Sequence, residues 1–210
     1  VSPMAITSTE NKAALSTGRL GQVGMLFALN VLYVGFGAVM GTVQGGLPPI
    51  LRQQGHDVAA VGWIYAFYLP FGLAFLWAHH IDRIRLPFLG HRTGWIVSMQ
   101  LVAIAATLLL AFGSSYQGIV LVALGFSVTL AMATMDTALD AMAVERIDPE
   151  RRPLASGLKL AALSTGAMIG NGAFVILFSR FGWASTFLLL AGLLMLLLPP
   201  VLMVREGPAI

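Results

Sequence analysis

The sequence predicts an all-α integral membrane protein, a bundle of six transmembrane helices with little mass outside the bilayer. Three observations lead there. Of 210 residues, 58% are hydrophobic and only 10% are charged, against roughly 25% charged in soluble domains. The apolar residues fall into six runs of about 20, the length that crosses roughly 30 Å of hydrocarbon. The charged residues collect between those runs. Cysteine is absent, which excludes a disulfide framework, thiolate catalysis and a zinc–cysteine site. The net charge of +3 forms no basic stripe with interleaved aromatics, so no nucleic-acid partner is expected. The partner that composition demands is the lipid bilayer.

Residues 1–19 are small and polar, with Lys12 and Arg19, and read as a disordered tail. The run that follows exceeds the 7–15 residues, roughly, of a signal-peptide core, and no A-x-A cleavage pattern follows it. Span 1 is placed at Leu20–Gly45. Asn30, Tyr33, Gly37, Gly41 and Gln44 share one face of it at helical spacing. Helix packing through Gly37 and Gly41 is the plainer use of that stripe; Asn30 and Gln44 raise the alternative of a polar pathway. Gly45-Gly46-Leu47-Pro48-Pro49 is expected to end the helix, and a short loop with Arg52, His56 and Asp57 follows. Span 2 is placed at Ala60–Trp77, with Tyr65, Tyr68 and Gly72 on one face, a kink at Pro70, and Trp63 and Trp77 at aromatic-belt positions.

The connection His79–Arg92 holds His79, His80, His91, Arg83, Arg85 and Arg92. Adjacent histidines point to different faces and no H-x-x-x-H spacing occurs, so no metal and no cofactor are expected. Span 3 (Gly94–Phe112) carries only Ser98 and Gln100 as strongly polar residues, and Gly113-Ser114-Ser115 turns the chain. Span 4 (Gln117–Val144) contains Asp136 and Asp140 and ends in a second charged loop, Glu145–Pro153. Span 5 (Leu154–Phe178) aligns Ser156, Lys159, Ala162, Gly166, Gly170 and Ala173. Span 6 (Ala184–Val204) is apolar all round and is expected to face lipid. The bundle is thus bounded at 20–205, with 206–210 read as the start of a central linker.

Six spans place both termini on one side. Lys12, Arg19, Arg83, Arg85, Arg92, Arg146, Arg151, Arg152 and Arg205 fall on that side, and only Arg52 and Arg180 on the other. Basic residues favour the cytoplasm, so both termini and both charged loops are expected to be cytoplasmic.

The chemistry centres on span 4. An aspartate at the middle of a membrane helix costs about 2.5–3.5 kcal/mol. Asp136 and Asp140 are four residues apart and share a face, with Thr129 further along the stripe. Counting roughly 1.5 Å per residue from the cytoplasmic ends puts Asp140 about 7–8 Å inside, Asp136 about 13 Å and Lys159 about 9 Å. One reading is a structural ion pair between spans 4 and 5. The other is that one aspartate pairs with Lys159 while its neighbour exchanges a proton, since two adjacent carboxylates in low dielectric do not easily both stay charged. Asp140 fits either reading; Asp136, deeper and without an evident partner, is the better functional candidate. Spans 1, 2, 4 and 5 carry the polar or small stripes, the pattern of a transporter half. The expected substrate or proton pathway is Asn30, Gln44, Tyr65, Tyr68, Asp136, Asp140 and Lys159. Two other classes stay open: an intramembrane metal-dependent transferase using the D-x-x-x-D pair, and a structural membrane subunit. The transferase needs a second acidic cluster, and Glu10, Asp57, Asp82, Glu145, Asp148, Glu150 and Glu206 all lie outside the mid-membrane.

Asp82-Arg83 followed by Gly90-His91-Arg92 resembles the cytoplasmic signature loop of the major facilitator superfamily, a glycine, then Asp-Arg, then Gly-Arg-Arg. The longer string Phe75-Leu76-Trp77-Ala78, Asp82-Arg83, and Pro87 to Trp95 is similar to the branch that holds anhydromuropeptide permeases, siderophore permeases and acetyl-CoA transporters. Gln44-Gly45-Gly46-Leu47-Pro48, Met135-Asp136-Thr137-Ala138-Leu139-Asp140-Ala141 and the glycines from Gly166 to Gly172 resemble elements of the same branch. The resemblance implies half of a twelve-helix fold, with the site between two six-helix halves. It implies a proton-coupled secondary transporter of a polar organic solute, such as a siderophore or a muropeptide, in a bacterial inner membrane. Asp82, Arg83 and Arg92 would belong to a conformational-switch loop, and Asp136 and Asp140 to the central cavity. The partner it calls for is a carboxy-terminal six-helix half, expected further along a longer chain or else as a second subunit.

Overall fold

A computed structural model describes residues 3–55, 57–86, 90–113 and 118–203. These form helices only: α1 (Pro3–Gly41), α2 (Leu47–Gln53), α3 (Val58–Gly62), α4 (Leu69–Leu73), α5 (Phe75–Arg83), α6 (His91–Ala111), α7 (Gly118–Arg146), α8 (Arg152–Met168), α9 (Phe174–Leu196) and α10 (Pro199–Met203). His56, Pro87–Leu89 of the signature string, the turn residues Ser114 and Ser115, Gln117 and the linker 206–210 lie outside the described residues.

Two expectations about span 1 are corrected. The tail is helical from Pro3 onward, because α1 is a single helix of 39 residues. Between Met4 and Arg19 the only strong helix breaker is Gly18, and extending an existing helix costs far less than nucleating one. At its other end the helix does not stop at the glycines and prolines. A π-helical turn, Thr42–Gly46, carries it into α2, with the Leu47 N–H on the Thr42 carbonyl. The wider turn shifts the bonding register so that Pro48 and Pro49 fall in the first turn of α2, where a missing N–H is tolerated. The Gln44 carbonyl, which Pro48 cannot reach as a donor, accepts the Tyr65 hydroxyl at 3.4 Å. The chain reverses at Gly55, whose φ of 88° is the left-handed conformation glycine adopts without strain.

Span 2 is built from α3, a 3₁₀ turn over Trp63–Tyr68, α4 and α5, and runs on to Arg83. Its bend of 47° lies between Leu73 and Phe75 rather than at Pro70. The 3₁₀ turn explains the displacement: Leu69 N–H already bonds the Ala66 carbonyl, so the proline leaves no acceptor open. The Trp77 indole N–H turns inward and donates to Thr134 Oγ1 at 3.0 Å. Trp63 is exposed.

Among the described residues four helices are long and apolar enough to cross a membrane, five with the bent pair. The stretch Pro149–Leu196 is 48 residues, about 72 Å if straight, enough for two crossings. Gly182, with φ 73° and ψ −173°, divides it. On its amino-terminal side the stretch runs parallel to α1; beyond it residues 183–196 run antiparallel to α6. Trp183 Nε1 donates to the Leu110 carbonyl at 2.7 Å, and Gln100 Nε2 to the Leu194 carbonyl at 2.8 Å. Span 6 is therefore two-faced, not lipid-facing all round: Phe187, Leu190, Ala191 and Leu194 are buried, while Leu188, Leu189 and Met195 are exposed.

The bundle is tightest between α1 and α8. A methyl added at Gly37 or Gly41 would overlap the Leu163 or Ala167 backbone, and one at Gly166 or Gly170 would overlap the backbone around Val34 and Ala38. The π turn Ile169–Ala173, which joins α8 to α9, lies against the π turn of span 1, Gly170 on Gly46 and Asn171 on Gly45. Gly37 and Gly41 thus serve packing. Leu29 and Leu32 of α1, Ile96 of α6, and Met132, Met135 and Leu139 of α7 fill the core.

Candidate functional site

Three helices meet at the site. α1 passes the carboxyl end of α7, where Gln22 Nε2 donates to the Arg146 carbonyl at 2.9 Å, and the glycine contact holds α8 beside α1. That geometry brings Tyr33, Asp136, Asp140 and Lys159 into one cluster. Lys159 Nζ donates to both oxygens of Asp140, at 2.6 and 2.7 Å. It also lies 3.3 Å from Asp136 Oδ1, an ionic contact without hydrogen-bond geometry. The Tyr33 hydroxyl donates to Asp140 Oδ1 at 2.6 Å, and the ammonium sits 4.6 Å from the Tyr33 ring centroid, close enough for a cation–π contact.

Asp136 is accordingly not without a partner, as its depth on span 4 had suggested. One ammonium serves both carboxylates, so the cluster holds an excess of one negative charge when both are ionised. The two carboxylates are not equivalent. The Asp140 side chain is 51% exposed and that of Asp136 only 26%. Asp140 lines a cleft of about 410 Å³ together with Asn30, Tyr33, Arg152, Ser156 and Lys159; Asp136 stands behind it. Asn30 Nδ2 donates to the Leu26 carbonyl of its own helix at 2.7 Å, and its Oδ1 is buried with no partner. Arg152 stands at the start of α8 with its guanidinium on the Val144 and Ile147 carbonyls, at 2.8 and 3.4 Å.

The ammonium also bears on metal chemistry. It occupies the space between Asp136 and Asp140 where a divalent cation bridging them would sit. Among the described residues no three His, Cys, Asp or Glu side chains converge. The D-x-x-x-D pair is thus engaged by a cation the chain supplies itself.

Three of the predicted pathway residues are not brought to this cluster. Gln44, Tyr65 and Tyr68 lie toward the other end of the bundle; Gln44 is 11 residues beyond Tyr33, about 16 Å along the helix. The Tyr65 hydroxyl bonds the Gln44 carbonyl, and the Tyr68 hydroxyl bonds the Met40 carbonyl at 3.1 Å. Both satisfy backbone acceptors around the π turn. Thr129 is likewise occupied, its hydroxyl on the Gly125 and Phe126 carbonyls of its own helix.

At the charged end of the bundle, Arg92 joins three helices. Its Nη1 donates to Asp82 Oδ1 at 2.6 Å, and its Nη2 and Nε donate to Glu145 Oε1 at 2.6 and 3.1 Å. Asp82 ends α5, Arg92 begins α6 and Glu145 ends α7, so one guanidinium fixes the relative position of all three. Arg83, named with them from sequence, is exposed at the end of α5.

Tyr33, Arg152 and Glu145 are the residues that sequence reasoning passed over as site members. Tyr33 shared the Asn30 stripe, a usable signal. Arg152 and Glu145 looked like ordinary loop charges, and only the packing of helix ends reveals their partners.

Comparison with known proteins follows the same lines. A sequence model described as Major Facilitator Superfamily matches residues 25–210. The putative transporter AmpG 4 of Rickettsia felis is 25% identical over 175 residues, covering 79% of this chain and 42% of that protein. The anhydromuropeptide permease of Escherichia coli K12 is 26% identical over 170 residues, covering 78% of this chain and 34% of that one. An uncharacterized protein of Schizosaccharomyces pombe is 26% identical over 171 residues, covering 78% and 32%. The chain spans between about a third and two fifths of the length of these relatives.

Proposed function

This chain belongs to the major facilitator superfamily, and on that premise we propose that it forms the amino-terminal half of a secondary transporter that carries a muropeptide-type solute across a bacterial inner membrane with a proton. The observation that carries the reading is one ammonium shared by two carboxylates, Asp136 and Asp140, at the wall of an intramembrane cleft. An ion pair that only locked two helices would need a single carboxylate. A second one costs about 2.5–3.5 kcal/mol within the membrane, a cost that has a return if the pair takes up and releases a proton during the cycle.

In this reading Asp136, Asp140, Lys159, Tyr33 and Asn30 form the amino-terminal wall of the solute and proton path. A carboxy-terminal six-helix half supplies the opposite wall. Asp82, Arg92 and Glu145 form a cytoplasmic latch that holds α5, α6 and α7 together in one state and parts in another. Both termini lie in the cytoplasm by the balance of basic residues. Of the two solutes the sequence brings forward, a muropeptide is favoured over a siderophore by the permease among the relatives.

The test is uptake of radiolabelled anhydromuropeptide by bacterial cells that lack a permease for it and express this chain together with its carboxy-terminal half. Uptake above the empty-vector control, lost on adding a protonophore, is the expected result. Uptake of a ferric siderophore instead would overturn the solute assignment, and uptake of neither would overturn the transporter reading.

A further inference from the structure

We propose that Lys159 is the docking group for a carboxylate on the transported solute, and that Asp140 is the internal stand-in which a proton displaces from it. The proposal rests on the transporter reading and deepens it. The placement of Asp140 carries it. Of the two carboxylates on Lys159, Asp140 is the one in the cleft, half exposed, and it grips the ammonium with both oxygens at 2.6 and 2.7 Å. That two-oxygen grip is the geometry an incoming carboxylate would reproduce.

Charge accounting decides how such an exchange proceeds. The groups facing Lys159 are Tyr33 from α1, Asp136 and Asp140 from α7, and, across the cleft mouth on α8, Arg152. Arg152 is engaged with the Val144 and Ile147 carbonyls. An anionic solute entering alone would place a third carboxylate beside one free ammonium, and an uncompensated charge in a low-dielectric cleft is costly. If one proton moves from water onto an Asp140 oxygen as the solute carboxylate arrives, the total charge of the cleft is unchanged. Lys159 keeps its three protons and passes its hydrogen bonds from Asp140 to the solute. Asp136, 3.3 Å behind the ammonium, holds it in place throughout. Tyr33 is a positioning residue: its hydroxyl bonds Asp140 at 2.6 Å and keeps the carboxyl group beside the ammonium it has released. The buried, unpartnered Asn30 Oδ1 in the same cleft is an acceptor for an amide N–H or hydroxyl of the same solute. The class so defined is an amide- or hydroxyl-bearing monocarboxylate, bound with one proton and without net charge transfer.

The experiment is calorimetric titration of this chain together with its carboxy-terminal half, in lipid nanodiscs, with two probes, muramyl dipeptide, which carries a single carboxylate, and its carboxamide. The acid should bind at least about tenfold more tightly than the amide. Repeating the titration in buffers of different ionisation enthalpy should show about one proton taken up per acid bound, with affinity falling toward tenfold per pH unit on the alkaline side. Asp140→Asn, which mimics the protonated side chain, should bind the acid with no proton uptake and little pH dependence. Lys159→Gln should bind acid and amide alike. Equal binding of the two probes by the unmodified chain, or acid binding without proton uptake, overturns the proposal while the muropeptide reading stands. Binding of neither probe overturns both. Loss of acid binding in Asp140→Asn, with the fold intact by circular dichroism, overturns the assignment of Asp140 as the displaced group.

Discussion

Replacing Lys159 with glutamine tests the cluster's electrostatics without any transport assay. The substitution keeps a long polar side chain but leaves Asp136 and Asp140 on one helix face with no cation. Removing one partner of a fully buried ion pair costs about 3–5 kcal/mol. Here the side chains of Lys159, Asp136 and Asp140 are 25%, 26% and 51% exposed, so water recovers part of that and about 2 kcal/mol is expected. For a chain of this size about 1 kcal/mol moves the melting temperature by roughly 2–4 °C, which puts the fall at about 4–8 °C. Adding Asp140→Asn should recover part of the loss, because only one unpaired carboxylate then remains. The coupling in the double-mutant cycle should reach at least about 1 kcal/mol. The assay is thermal unfolding followed by tryptophan fluorescence in detergent at fixed pH and salt. An unchanged melting temperature in Lys159→Gln, or strictly additive effects in the cycle, would refute the shared-ammonium account.

Other predictions concern the frame around the cluster. Gly166→Leu should be among the most damaging small-to-large changes, since its side chain must displace the α1 backbone at Val34 and Ala38; a loss of at least about 3 kcal/mol, seen as failure to purify as a monodisperse species, is expected. Gly157, with nothing around it, should accept alanine with no loss of melting temperature. Tyr68→Phe should cost about 1 kcal/mol by leaving the Met40 carbonyl without its side-chain donor, read as a melting-temperature fall of a few degrees with solute affinity unchanged. Arg92→Gln should leave stability within about 1 kcal/mol, because its partners Asp82 and Glu145 are 60% and 48% exposed. It should speed amide exchange at the end of α5 and the last turn of α7, as expected of a latch between helix ends.

The spans were legible in the sequence because a bilayer imposes a length and a polarity that few other contexts impose. α6 and α7 fall within a few residues of where the apolar runs place them. The cluster was half legible. Asp136, Asp140 and Lys159 stand out as charges inside apolar runs, and their matching depths correctly paired Lys159 with Asp140. What depth could not say is that α8 turns Lys159 so that it also meets Asp136, or that Tyr33 closes the cluster from α1. Those facts depend on helix rotation, which the glycine contact between α1 and α8 sets. Gly45-Gly46 and Pro48-Pro49 misled for a local reason: residues that break a regular α-helix are accommodated when a π turn changes the register. Tyr65 and Tyr68 misled for the complementary reason. Tyrosines on a membrane helix face read as pathway lining, yet the same π turn exposes backbone carbonyls, and satisfying those is what the two hydroxyls do.

Proton-coupled uptake in the Asp140→Asn variant is the most direct measurement of the central claim. Asparagine keeps the shape of the side chain and removes the excess negative charge, leaving Lys159 and Asp136 as a balanced pair. Labelled anhydromuropeptide uptake is measured across a range of external pH in cells expressing the unmodified chain or the variant, each with the carboxy-terminal half, at equal membrane levels. The account predicts that acidification stimulates uptake by the unmodified chain, and that the variant transports at a small fraction of that rate with a flat pH profile. Unchanged uptake with an unchanged pH profile in Asp140→Asn would contradict it.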